Sequence, residues 1–363
     1  MLQHSPDQLF KNTARLHSKE SPILPLNARL KTTLQEAMDL REVSGPVRAS
    51  LFLIPRFYQD AVRDAIPTIK ERDLALLMRI HGLIKERFTG RRRSGEASSG
   101  HPIAVSLTLA GELGQADPRL IAYGLLHDYV EDVLWKDDYL KWRNRQDLIN
   151  YDGKRDNDLH SHRRMFAIKE LKSLKKSHGI GLDENDISII LALSIDKGHG
   201  PFYRTQIEGL RPITATIQHG KRARLETRIW MQEAAAKVRI ADKIANLRSG
   251  ELDLETSPQA QRRLLKQALA GYAHIVPLAR HIINKQEQAE LLSRLIGIIR
   301  DTISLVISYA RIDERWWPTF NLKSNVEVML NKSIEHILHD DQRHAYTRNS
   351  AIEGYIQTVL KDL

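Results

Sequence analysis

No cysteine occurs in the 363 residues, which excludes a disulfide scaffold, a thiolate zinc site and a cysteine nucleophile. That absence fits a reducing compartment, and a cytoplasmic location is the expectation. Aromatic residues are sparse at 6 %, so no stacking platform for nucleic-acid bases is evident. Long apolar runs are missing too. The greasiest stretch, 291–312, is interrupted by Arg294, Arg300 and Asp301, so it falls short of the ~18 uncharged residues of a membrane span. The first forty residues carry charge throughout and lack the apolar segment of a signal peptide. Alternating runs closed by Asn-Gly or Asp-Gly turns are absent as well, and Asp152-Gly153 is flanked by charge rather than by strands.

What is present is a globular balance of 42 % apolar and 28 % charged residues. Lysine and arginine number 55 against 45 acidic residues, a net charge of +10 that suits polyanionic partners: nucleic acid, ribosome or a small polyphosphate. Helical patterning dominates. Leu74, Leu77, Met78, His81 and Ile84 fall on one helical face, and Ile187, Ile190, Leu191 and Ile195 repeat that spacing. Ser324-x-x-Glu327 and Ser350-x-x-Glu353 read as capping boxes ahead of apolar-periodic runs. The expected fold class is all-α.

Composition divides the chain into three regions. Residues 1–70, with six scattered prolines, read as an N-terminal helical extension, 71–285 hold the histidine and aspartate chemistry, and 286–363 read as C-terminal amphipathic helices. Within the middle region, 135–178 is a charged insertion with 12 Lys and Arg against 7 Asp and Glu. Such a segment is either a solvated face or an anion-facing flap.

The chemistry concentrates in Leu125-Leu126-His127-Asp128-Tyr-Val-Glu131-Asp132. On an α-helix, Glu131 lies four residues from His127 and Asp132 four from Asp128, so one stripe would carry an imidazole and three carboxylates. Such a stripe repels itself unless a cation neutralises it, and a divalent metal is the economical explanation. Two distant segments complete the set. His101, in Gly100-His101-Pro102, stands near a helix start. Asp242, Asn246 and Ser249 form a polar stripe in the otherwise apolar run from Lys237. His339-Asp340 has no such company and reads as an exposed surface pair.

The order of these blocks resembles the HD-domain hydrolase half of RelA/SpoT-type proteins, including the stand-alone small alarmone hydrolases. The blocks that carry the resemblance are Arg92-Arg93-Ser94-Gly95-Glu96, His101-Pro102, Leu125-Leu126-His127-Asp128 with Glu131-Asp132, and Ala241-Asp242 with Asn246 and Arg248. It covers about residues 72 to 285 and implies an HD-type helical bundle. The stretch between Asp132 and Asp242 is longer than in that family, and no strand-rich synthetase segment follows.

The resemblance implies that His101, His127, Asp128 and Asp242 hold one manganese ion. Glu131 and Asp132 would position the attacking water and shuttle its proton, while Arg92, Arg93, Asn246 and Ser249 would bind substrate. The implied reaction removes the 3′-pyrophosphate from a guanosine tetra- or pentaphosphate, the alarmone of the stringent response. Metal and carboxylates read phosphorus rather than base. An adenosine alarmone, the 2′-phosphate of NADPH or a deoxynucleotide is therefore an alternative substrate, and a non-catalytic RNA- or ribosome-binding helical protein is the alternative class. The terminal helices are candidates for self-association or for docking a partner protein.

Overall fold

The computed structural model describes residues 51–92, 97–136, 155–194, 221–251, 260, 263–265, 267–268 and 271–312. Among these residues the protein is all-α, with no strand; Arg91 and Ala97 share an isolated antiparallel bridge. The expected capping boxes at Ser324 and Ser350, the His339-Asp340 pair, Ile195, Arg93 and residues 137–154 lie outside the described residues.

The helices start and stop where their sequences direct. Helix α1, Pro55–Ala65, opens with proline, whose fixed φ suits a first turn. Helix α2, Glu71–Arg87, has Glu71 and Asp73 in its first turn and Lys85 and Arg87 in its last, matching the helix dipole. The face expected from periodicity is the buried one, through Leu74, Leu77, His81 and Ile84. Helix α3, Gly100–Leu107, runs on into a π-helical turn over Thr108–Glu112. Asp117 caps α4, Pro118–Leu126, by accepting from the Arg119 backbone N–H. A second π-helical turn follows over Tyr129–Leu134. Beyond it come α5, Arg155–His178, and α6, Glu184–Leu193, the latter opened by an Asp183–Asp186 capping box.

The longest element, α7, spans Lys221–Glu251 and packs against α3, α4 and α6. A short π-helical turn, Gly271–Ile275, leads into α8, Val276–Ile282, and then α9, Lys285–Ile312, both also seated on α7. Small side chains permit this crowding: Ala234, Ala235, Ala236, Ala241 and Ala245 of α7 are all buried. None of the described helices is long and apolar enough to cross a membrane.

One hydrophobic core runs through all of these helices and ignores the boundaries drawn from composition. Tyr58 and Val62 of α1 lie in the same cluster as Leu295 and Ile299 of α9, so positions 70 and 285 divide the composition but not the core. The charged insertion is likewise not a wholly solvated face. Its helical half, α5, buries Ala167, Leu171 and Leu174, and the Trp135 indole donates to the Arg163 carbonyl at 3.2 Å. Its basic residues ride on the outside of a helix whose other side belongs to the core.

Helices α3 and α4 approach closely at Gly124. A Cβ built on Gly124 would meet Leu109 Cδ1 at 2.7 Å and the Ser106 Cα at 3.1 Å. Gly124→Ala should therefore lower the melting temperature, with overpacking costing about 1–3 kcal/mol and outweighing alanine's better helix propensity of about 1 kcal/mol. A melt equal to or above the parent's would show that α3 and α4 separate easily.

Candidate metal centre

Three segments converge on one polar cluster inside this core. His101 comes from the first turn of α3, His127 and Asp128 from the junction between α4 and the second π-helical turn, and Asp242 from α7. His127 Nε2 lies 3.0 Å from Asp128 Oδ2 and 3.6 Å from Asp242 Oδ1. His101 Nε2 lies 3.0 Å from Asp242 Oδ1 and 3.6 Å from Asp128 Oδ2. The four atoms close a ring in which each nitrogen faces both oxygens. The imidazole planes stand edge to face, 70° apart with centroids 5.2 Å apart.

The local backbone sets the His127 ring. Its Nδ1 lies 2.8 Å from the Gly124 carbonyl, which can only accept, so Nδ1–H donates there. Nε2 is left pointing at the two carboxylates. His127 is fully buried, and Nε2 has no hydrogen-bond partner of acceptable alignment despite its close oxygens. A buried polar atom of that kind needs an explanation, and a cation at the centre of the ring supplies one.

Distances and chemistry both fit. One ligand atom each from His101, His127 and Asp128 falls within 4.8 Å of the others. Adjacent ligands that share an ion at ~2.1 Å and roughly right angles stand ~3.0 Å apart. Two neutral imidazoles and two carboxylates are ligands for a borderline divalent ion such as manganese, iron or zinc.

Charge in the cluster points the same way. Burial works against a charged His127, but Asp128 and then Asp242 outweigh it and push the imidazole up to about 10. His101 is pulled down, first by burial and then by the Arg92 guanidinium. Burial would raise the two aspartates, yet the neighbouring imidazoles hold Asp128 below and Asp242 well below the ordinary carboxylate range. Without a metal, both carboxylates stay ionised, facing the His127 imidazole and the His101 Nε2–H that donates to Asp242 Oδ1 at 3.0 Å.

The remaining expected site residues fall in different places. Arg92 Nη2 donates to Asn246 Oδ1 at 2.8 Å, and Asn246 Nδ2 donates to Asp242 Oδ1 at 2.6 Å. Ser249 is half-buried further along α7. Glu131 is half-buried and Asp132 exposed, both on the second π-helical turn. The segment is not one continuous α-helix as expected: α4 ends at Leu126 and a π-helical turn spans Tyr129–Leu134, with the Asp132 N–H donating to the Asp128 carbonyl at 2.8 Å.

Sequence reading overlooked Arg239. It is 3 % exposed, donates through Nη2 to the Leu193 carbonyl at the end of α6, and places Nη1 3.9 Å from Asp242 Oδ2. Its position three residues before Asp242 was the available signal. No known family model matches the chain, and no curated protein matches it.

Two measurements test the centre. His127→Ala and Asp242→Ala should each abolish uptake of about one divalent ion per chain, read by elemental analysis after dialysis against Mn2+; unchanged metal in both would contradict the assignment. The pH dependence has a definite sign. His127 is held protonated to about 10, so a metal must displace its proton near neutrality. Mn2+ affinity should therefore rise between pH 6 and 8, with protons released in calorimetry across buffers of different ionisation enthalpy. Flat affinity without proton release would place the proton elsewhere.

Proposed function

We propose that the chain is a metal-dependent HD-type phosphohydrolase that removes the 3′-pyrophosphate from guanosine tetra- or pentaphosphate in the cytoplasm. The observation that carries the reading is the ring of His101, His127, Asp128 and Asp242, in which the buried His127 Nε2 faces carboxylate oxygens at 3.0 and 3.6 Å. Manganese is the ion that the sequence resemblance favours. When bound, such an ion supplies Lewis acidity toward water and a phosphoryl group.

The rest of the chemistry falls to the protein. Arg92 reaches the ring through Asn246 and Arg239 stands 3.9 Å from Asp242, so positive charge beside the centre favours an anion there. Arg239 is buried and acts on the field alone, whereas half-buried Arg92 is placed to meet a phosphate. In the reaction, water oxygen bonds to phosphorus, the bond from phosphorus to the ribose 3′-oxygen breaks, and that oxygen leaves with a proton. Glu131, on the turn that follows the ligand Asp128, takes the proton from the attacking water, and Asp132 assists its exchange with solvent. The four ligands read phosphorus, so the identity of the base rests on other contacts.

The direct test is incubation of Mn2+-loaded protein with guanosine tetraphosphate, followed by measurement of released pyrophosphate. Release is expected, and Glu131→Gln should keep its metal while losing ~100-fold or more in turnover. Turnover confined to an adenosine alarmone, the 2′-phosphate of NADPH or a deoxynucleotide would reassign the substrate. A metal-loaded chain that hydrolyses none of them would overturn the enzymatic reading.

A further inference from the structure

Asn246 stands between the metal centre and the loop that carries Arg92, and its amide is engaged at both ends. Nδ2 donates to Asp242 Oδ1 at 2.6 Å, while Oδ1 accepts from Arg92 Nη2 at 2.8 Å. The partners fix the amide's orientation, because a carboxylate only accepts and a guanidinium only donates. Arg92 itself stands on a loop closed at its base. The Ser98 N–H and Oγ–H both reach the Gly90 carbonyl, at 2.9 and 2.8 Å, and Arg91 bridges to Ala97.

We infer that Asn246 is a positioning residue that couples the ligand Asp242 to the anion-capturing Arg92, rather than a contact to substrate. The inference rests on the metal-dependent reading above. Asp242 Oδ1 faces both imidazoles, and the Asn246 N–H restrains the carboxylate from turning that oxygen out of the ring. The same amide keeps the long Arg92 side chain in one place, so less of its freedom is lost when an anion arrives. One side chain thus serves both the cation and the anion.

The test is titration calorimetry on the full chain with two probes, Mn2+ alone and inorganic pyrophosphate added to Mn2+-saturated protein. Asn246→Ala should weaken Mn2+ binding roughly 10–100-fold with no anion present. Arg92→Ala and Asn246→Ala should each weaken pyrophosphate binding, and the double variant should be no weaker than Arg92→Ala, because Asn246 acts through Arg92. Unchanged Mn2+ affinity, or losses that add in the double variant, would overturn the inference and make Asn246 an anion contact. Far-UV circular dichroism checks that the helix survives. If it does not, Asn246→Gln carries the same test: its longer reach must break one of the two bonds and lower an affinity, and parental affinities for both probes would overturn the coupling. A parent chain that takes up no Mn2+ contradicts the metal centre itself, whereas a parent that binds normally beside an indifferent Asn246→Ala contradicts the coupling alone.

Discussion

Two carboxylates held among apolar helices are the constraint on which the rest of this structure depends. Taking ionised aspartates out of water is expensive, and removing the partner of a buried charge typically costs about 3–5 kcal/mol. Asp128 and Asp242, partly buried at the meeting point of α4 and α7 beside two buried imidazoles, bear part of that cost. The groups that face them supply positive charge or a donor: His101, His127, the Asn246 amide and the Arg239 guanidinium. A protein seeking stability alone would fill this space with leucine. A ring of two nitrogens and two oxygens in such a place fits the metal-dependent reading proposed above.

The architecture exists to bring three remote segments to that point. Residue 124 has to be glycine for α4 to approach Ser106 and Leu109 of the α3 segment, and the Gly124 carbonyl then orients His127 one turn later. Helix α7 crosses the molecule with an alanine-rich face, so Asp242 reaches the ring without a bulky neighbour in the way. A second buried ionic group locks the far side. Glu112, at the end of the first π-helical turn, pairs with Arg248 of α7 and stands 3.6 Å from Arg294 of α9. The segment that carries His101 is thereby tied to the helix that carries Asp242. The long α9 also shares the core, so the C-terminal part described here is structural support for the centre.

Much of this was legible in the sequence, for physical reasons that can be named. Apolar spacing exposed the buried face of α2, because local pattern and tertiary packing agree there. The polar residues among apolar helices drew attention to His127, Asp128 and Asp242, and the order of the sequence blocks, through the resemblance they carry, joined His101 to them as one ligand set. Other features were hidden. A π-helical turn leaves no mark in apolar periodicity, so the break in the helix after Leu126 was not foreseen. Arg239 reads as a surface charge until the Leu193 carbonyl is placed beside it. The charge-rich segment 135–178 looked like an insertion because its net charge masks Ala167, Leu171 and Leu174, which are sequence-local but core-facing. Composition records what a helix shows to water, and the core is decided by the other side.

The central claim is that His101 and His127 share one ion. Pulsed electron paramagnetic resonance of the Mn2+-loaded chain reads that claim directly, since directly bound imidazole nitrogens couple to the electron spin. The account predicts two nitrogen couplings, with one lost in His101→Ala. A spectrum of fully hydrated Mn2+ with no nitrogen coupling would contradict it.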